Sequence, residues 1–302
     1  MPNSVPLRVL VAGNTNTELH VQTPVLPLPD AENTSYSDGL TLGVSGVGFN
    51  VAHALARLGA EAGLLTFAGT DTAGELVRSA LARAGIRACV QHTPATPLSL
   101  VLSGADGQRQ IHRDLKGTES LGIDAQAFQS ALAGADVAVL TNVGWTRPLL
   151  PLARAASVQI VTDLQATPGP AHPYDQPFLA HADVLFLSAE RLTLPPLDAL
   201  RAYRERCDPG VIVISLGADG ALMSERGQPP HHQPTVFTRP IITTNGAGDA
   251  LLAAFVWAYF GGHAAWESLR LACTFASWKC GEMGGAAGHL SGKELSALCL
   301  TG

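Results

Sequence analysis

No two cysteines of this chain lie close enough in sequence for a zinc ribbon or a redox motif. Cys89, Cys207, Cys273, Cys280 and Cys299 are scattered, odd in number and without a CxxC pair. That argues against a disulfide framework or a Cys-based zinc site and for free thiols in a reducing cytoplasm. Charge is sparse as well: Asp, Glu, Lys and Arg make up 15% of 302 residues, and 19 basic residues face 25 acidic ones for a net charge of −6. Binding a nucleic-acid backbone needs a basic face, so no nucleic-acid partner is expected. No apolar run reaches the ~20 residues of a membrane-spanning helix, so no membrane partner is expected either. The opening MPNSVPLRVLVAGN has one Arg before an apolar run of strand length and lacks the pattern of a secretory signal. The expected location is cytoplasmic.

What the chain does have is apolar bulk, 46% of its residues, enough to bury a large core. Short Val/Leu/Ile runs at 7–14, 136–143, 158–164, 183–188 and 211–217 read as buried strands. Helix-like Ala/Leu/Arg segments at 51–59, 76–85 and 149–156 alternate with them. This rhythm predicts a parallel sheet covered on both faces, with ligands gathered beyond the carboxyl ends of the strands. The polar residues ending the runs, Asn14, Asn142, Asp163, Ser188 and Ser215, then share one edge. Residues 98–113 break the rhythm. Two strand-like arms flank Asp106-Gly107 and predict a β-hairpin. With the extended stretch around 19–42 it makes a small sheet, read as a lid. The Pro/His cluster at 227–234 reads as a surface loop, with no third ligand to join His231 and His232 in a metal site.

The stretch TTNGAGDALLAAF, Thr243 to Phe255, carries the chemistry. Leu252, Phe255, Val256 and Tyr259 recur at helical spacing, so a helix starting near Ala247 or Gly248 is predicted to bury that stripe. Its first turn is rich in glycine, which costs about 1 kcal/mol against alanine inside a helix. One reason to bear that cost is access: without Cβ atoms, the unpaired N–H groups of a first turn approach a bulky anion closely, and the helix dipole favours negative charge. The alternative is a tight loop feeding a core helix.

In chain order, Gly13-x-x-Asn16-x-Glu18, then Ser45-Gly46-x-Gly48-x-Asn50, Gly69-x-Asp71-x-x-Gly74, Ser215-Leu216-Gly217-x-x-Gly220 and Thr243-Thr244-Asn245-Gly246-Ala247-Gly248-Asp249 form a series. Over nearly its whole length the chain thus resembles the ribokinase-like (PfkB) carbohydrate kinases. The resemblance implies one α/β domain over 1–302: a three-layer α/β/α sandwich with a mostly parallel central sheet. A small β-sheet lid comes from segments near 15–42 and 96–115. It also implies an ATP- and Mg²⁺-dependent kinase phosphorylating a primary hydroxyl of a sugar, with a nucleoside kinase, or a non-catalytic sensor keeping the fold, as the alternatives.

By that resemblance the backbone of Gly246, Ala247 and Gly248 holds the transferring phosphoryl group and Asp249 takes the proton of the acceptor hydroxyl. Asn16, Glu18, Gly46 and Asn50 fall on the acceptor side, and Ser188, Ser215, Gly217, Gly220 and Asn245 on the nucleotide side. Several positions depart from the family. Glu18 replaces an Asp and either accepts a differently placed hydroxyl or faces solvent. Asn50 either binds the acceptor or caps its helix. Thr243 replaces an Asp that helps organise a monovalent-cation site in relatives, so weak or absent potassium activation is expected. No magnesium ligand is assigned: Glu190 is one position off the family's element, and Asp163 is a candidate acting through water. Phe49 and Trp145 are the aromatic residues a nucleoside clamp would draw on. A homodimer through the lid is the expected assembly.

Overall fold

The computed structural model describes residues 5–104 and 109–301. Nine strands form the main sheet. Their order is His231–Gln233, Ala221–Glu225, Val211–Ser215, Val184–Ser188, Gln159–Ala166, Val137–Thr141, Arg8–Ala12, Glu61–Gly69 and Arg87–Thr93. All neighbours from Val211–Ser215 onward pair in parallel, and the first two strands add an antiparallel edge.

Side chains alternate across a strand, and here the alternation divides the core in two. Val9 and Val11 join one cluster with Val51, Leu55, Leu252 and Leu269, while Leu10 and Ala12 join another with Phe128, Leu149 and Tyr203. Helices therefore cover both faces, as the sequence rhythm implies. The resulting α/β/α sandwich with a small accessory sheet is the architecture that the resemblance implies.

Two expectations need correction. The helix Ala247–Phe260 does not bury a single stripe: Ala250 to Val256 and Ala258 are all buried, and Tyr259 is only partly so. It is packed nearly all round, between Val47–Leu58, Ala265–Lys279 and the sheet, where Phe255 meets Phe186 edge-on at 5.3 Å between ring centroids. His231 and His232 lie in an edge strand rather than a loop, because their backbone pairs with Met223 and Leu222.

The small sheet has the order Leu40–Ser45, Asn16–Thr23, Leu98–Gly104, Arg109–Asp114. Both arms of the expected hairpin are present and pair antiparallel, and the Asp106-Gly107 turn lies outside the described residues. Register gives the sheet two unlike faces. Glu18 pairs with Ser99 and Asn16 with Ser45, on the face toward the helix start at 246–249. Leu19 pairs with Leu42 on the opposite face. The Gly69-x-Asp71-x-x-Gly74 element anchors this lid to the main body. Asp71 caps the helix Thr72–Arg83 through the Gly74 N–H and accepts two further bonds, from the N–H and hydroxyl of Thr96. These bonds hold its carboxyl below the usual aspartate range.

Candidate active site

Gly246 turns the chain into the helix Ala247–Phe260 with φ +79°, and a Cβ there would stand 2.1 Å from the carbonyl oxygen of Gly285. Only glycine fits both the conformation and the space. No side chain caps this helix. Its first N–H groups have no acceptor one turn back, except that Ala247 N–H donates to Thr244 O at 3.2 Å. Gly248 is exposed, and a Cβ added to it would meet nothing within 4 Å. An uncapped, open helix start is a place for an anion. The expected phosphate position thus has the space and the donors for one.

Asp249 is the third residue of the helix, not its cap. Its Oδ2 accepts from Asn50 Nδ2 at 2.7 Å. Asn50 itself sits in the first turn of Val47–Leu58, whose cap position is Gly46, so it does not cap that helix. Gly46 has φ +99°, and its Cβ position lies 2.6 Å from Asn14 O and 2.8 Å from Asn16 Oδ1, bringing that backbone hard against the neighbouring turn.

Glu18 points inward. It is buried, accepting from Asn245 Nδ2 at 2.9 Å and from Ser99 Oγ at 3.3 Å, while Asn16 Nδ2 donates to Ser99 Oγ at 2.7 Å. Asn16, Ser99, Glu18 and Asn245 thus form one polar chain leading from the lid to the anion turn. Asn245, expected on the nucleotide side, donates from its amide to Glu18.

Burial raises all three carboxylates of this region. It pushes Asp249 to about 7, with the Asp163 charge adding to the rise and the Asn50 hydrogen bond opposing it. Asp163 lies inside the strand Gln159–Ala166, 8% exposed, and is pushed to about 6 by burial, against the Gln165 N–H bond. Burial raises Glu18 too, against hydrogen bonds from Ser45, Ser99 and Asn245. A carboxylate near 7 beside an anion-accepting helix start is suited to proton abstraction from a hydroxyl.

Ser188 and Ser215 face one another at the carboxyl ends of adjacent strands, with Gly217 and Gly220 in the turn that follows. Ser188 Oγ accepts from Glu190 N–H, and Glu190 is exposed. Not every polar terminator serves the site. Asn14 accepts from Trp145 Nε1 at 2.9 Å, and Asn142 donates to Leu164 O and Asp175 Oδ1. Trp145 and Phe49 are themselves buried core residues.

Four contributors lie outside the expected set of site residues. Ser99 is one, although the alternation of LSLVLS on the hairpin carried that signal. Arg109, whose Nη1 donates to Thr244 Oγ1 at 3.3 Å, ties the lid to the anion turn. Gly285 packs against Gly246, Ser45 and Asn50. Lys279 is wholly buried. A single Lys ending an apolar helix reads as a partner for the helix dipole, so its sequence gave no warning.

Known proteins resemble the chain over nearly its whole length. Residues 7–291 match the model of the pfkB family of carbohydrate kinases. The acarbose 7(IV)-phosphotransferase of Actinoplanes sp. is 28% identical, over 90% of this chain and 91% of that protein. The ATP-dependent ribose-1-phosphate kinase of Halopiger xanaduensis is 29% identical, over 83% and 84%. Among solved structures, the microbiome-derived acarbose kinase Mak1 superposes with a TM-score of 0.89 at 24% identity, covering 98% of this chain and all of that one.

Proposed function

The chain belongs to the pfkB family of carbohydrate kinases, and from that premise we propose that it transfers the γ-phosphoryl group of ATP to a primary hydroxyl of a sugar, with Asp249 as general base. The observation that carries this reading is the placement of Asp249. Its carboxylate is held by Asn50 at 2.7 Å, one residue past the open, uncapped Gly246–Gly248 helix start.

ATP supplies the phosphoryl group, and a magnesium ion offsets charge on its oxygens. The donors at 246–248 and the helix dipole accept the charge that gathers as the group moves. Asn50 occupies Oδ2 of Asp249 and leaves Oδ1 to take the hydroxyl proton, a contribution of roughly 10²- to 10⁴-fold. Glu18, Asn16 and Asn50 orient the acceptor. Ser188, Ser215, Gly217 and Gly220 hold the nucleotide at the strand ends. Asp163, a hard oxygen donor close enough to Asp249 for its charge to raise that group, would hold the magnesium shell through water. Lid closure excludes water and so suppresses ATP hydrolysis.

The test is ADP release with Mg²⁺ across ribose, ribose 1-phosphate, fructose, 2-keto-3-deoxygluconate, acarbose and nucleosides. Acceptor-dependent turnover that Asp249→Asn lowers at least 10²-fold is the expected result. Turnover that survives this substitution removes Asp249 as the base. Preference for a nucleoside over every sugar moves the acceptor class.

A further inference from the structure

Lys279 ends the helix Ala265–Lys279 with its side chain wholly buried. Burying an ammonium costs several kcal/mol unless charge and hydrogen bonds repay it. Its hydrogen bonding is meagre: Nζ donates to Glu282 O at 3.3 Å. Burial lowers the ammonium to about 8, and nearby charge offsets that cost only in part: Cys280, Asp249 and Glu18 favour its protonated form, and Arg239 opposes it. Lys279 is the cation, among the described residues, whose charge reaches both Glu18 and Asp249. Burial lowers the imidazoles of His20 and His289, and this same ammonium adds to both, with His53 and Arg57 acting alongside it at His289.

The segment that follows Lys279 also braces the anion turn. Cys280 O accepts the N–H groups of Ile242 at 2.8 Å and Thr243 at 3.0 Å, directly before that turn. Gly285 O abuts Gly246. The ammonium therefore lies at the root of the loop on which the helix start rests. A lysine with only a packing role would be replaced without loss by an apolar side chain of similar length.

We propose that Lys279 is a positioning residue for phosphoryl transfer: a buried ammonium, seated on Glu282 O at the root of the loop that braces the anion turn, that offsets the negative charge gathered between that turn and the acceptor site. This rests on the kinase reading above. Burial sets the ionisation of Asp249 most strongly and disfavours the anion, as do Asp163 and Glu18; Asn50 and Lys279 favour it.

The test compares wild type with Lys279→Met, which keeps the stem and removes the charge. The pH profile of kcat/KM is expected to move its acidic midpoint up by at least half a unit, with kcat lowered tenfold or more. A folded Lys279→Met protein with an unmoved midpoint overturns the proposal. A second measurement needs no acceptor: melting temperatures of wild type, Lys279→Met, Asp249→Asn and the double variant at pH 6 and 8. Removing the Asp249 charge is expected to stabilise Lys279→Met at pH 8 by more degrees than it stabilises wild type, and equal shifts overturn the proposal. If Lys279→Met does not fold at pH 8, the double variant is expected to fold, and its failure also overturns it. If wild type phosphorylates no acceptor, the kinase reading fails while the melting cycle still decides the role of Lys279.

Discussion

Asn50 and Asp249, 199 residues apart in sequence, meet at 2.7 Å where two helix starts converge. The amide donates to the carboxylate and so favours its ionised form, against burial and the Asp163 charge, which together hold Asp249 near 7. Between them these opposing effects set the pH at which the base becomes available.

The kcat/KM profile is expected to rise with pH through a midpoint near 7, as Asp249 loses its proton. It falls again above about 8, where Lys279, lowered by burial, loses its charge. Asn50→Leu removes the donor, so the acidic midpoint moves up and activity at pH 7 falls about tenfold. A profile for Asn50→Leu that matches wild type would separate the pair from catalysis. The stability effect has its own sign. An acid whose folded pKa is raised stabilises the fold at low pH and loses that contribution as pH rises through 7. Asp249→Asn is therefore expected to raise the melting temperature at pH 8 more than at pH 5.

Gly246 and Gly248 give opposite outcomes on substitution by alanine. At Gly246 the left-handed φ and the Gly285 carbonyl both exclude a Cβ, so Gly246→Ala destabilises by about 1–3 kcal/mol. Gly248 has helical geometry and open space, so Gly248→Ala gains about 0.5–1 kcal/mol in helix propensity. Its Cβ points back toward the helix start, however, where the phosphoryl group is received. A raised KM for ATP in a more stable protein is the expected pairing, measured by thermal melting and steady-state kinetics. An unchanged KM would place the anion elsewhere.

These glycines also mark how far the sequence could be read. Their order along the chain gave the family, and the apolar rhythm of strands such as Arg8–Ala12 gave the layered sheet. Pairings between distant elements were not legible. Nothing local distinguishes an Asn50 that caps a helix from one that reaches Asp249, or a solvated Glu18 from one buried on Ser99 and Asn245. The helix Ala247–Phe260 is buried nearly all round and not on one stripe because nearly every position in it is apolar or small, and such a pattern has no polar face to fix its depth. His231 and His232 were placed in a loop because the flanking prolines mask a three-residue edge strand.

Potassium is expected to have little effect on rate. Thr243 supplies no carboxylate to a monovalent cation, its N–H is committed to Cys280 O, and its hydroxyl accepts from Asn245 N–H at 3.2 Å. Lys279, protonated below about pH 8, already sets a positive charge on Glu282 O in the segment that braces the same loop. Assays at equal ionic strength in KCl, NaCl and choline chloride should agree within about twofold. A tenfold gain in KCl would mean that a cation binds despite these commitments.

The outward face of the lid bears on assembly. Leu19, Leu40, Leu42 and Leu98 are 38%, 54%, 61% and 40% exposed, and register sets Leu19 beside Leu42 on the side of the sheet away from Glu18. Contiguous apolar surface of this kind on a sheet is a liability unless covered. A second copy of the chain, bringing the same leucines, is a self-complementary cover, as a two-fold interface requires. We propose that the protein is a homodimer through this face. Light scattering at micromolar concentration is expected to give twice the chain mass, and Leu42→Glu to give the monomer. Since Leu42 is exposed within one chain, that substitution leaves the monomer's own stability within about 0.5 kcal/mol. A wild-type monomer would reject the dimer. If the dimer forms, KM for the acceptor should rise in Leu42→Glu while kcat changes little, because the lid strands that carry Glu18 and Ser99 lose the partner that steadies them.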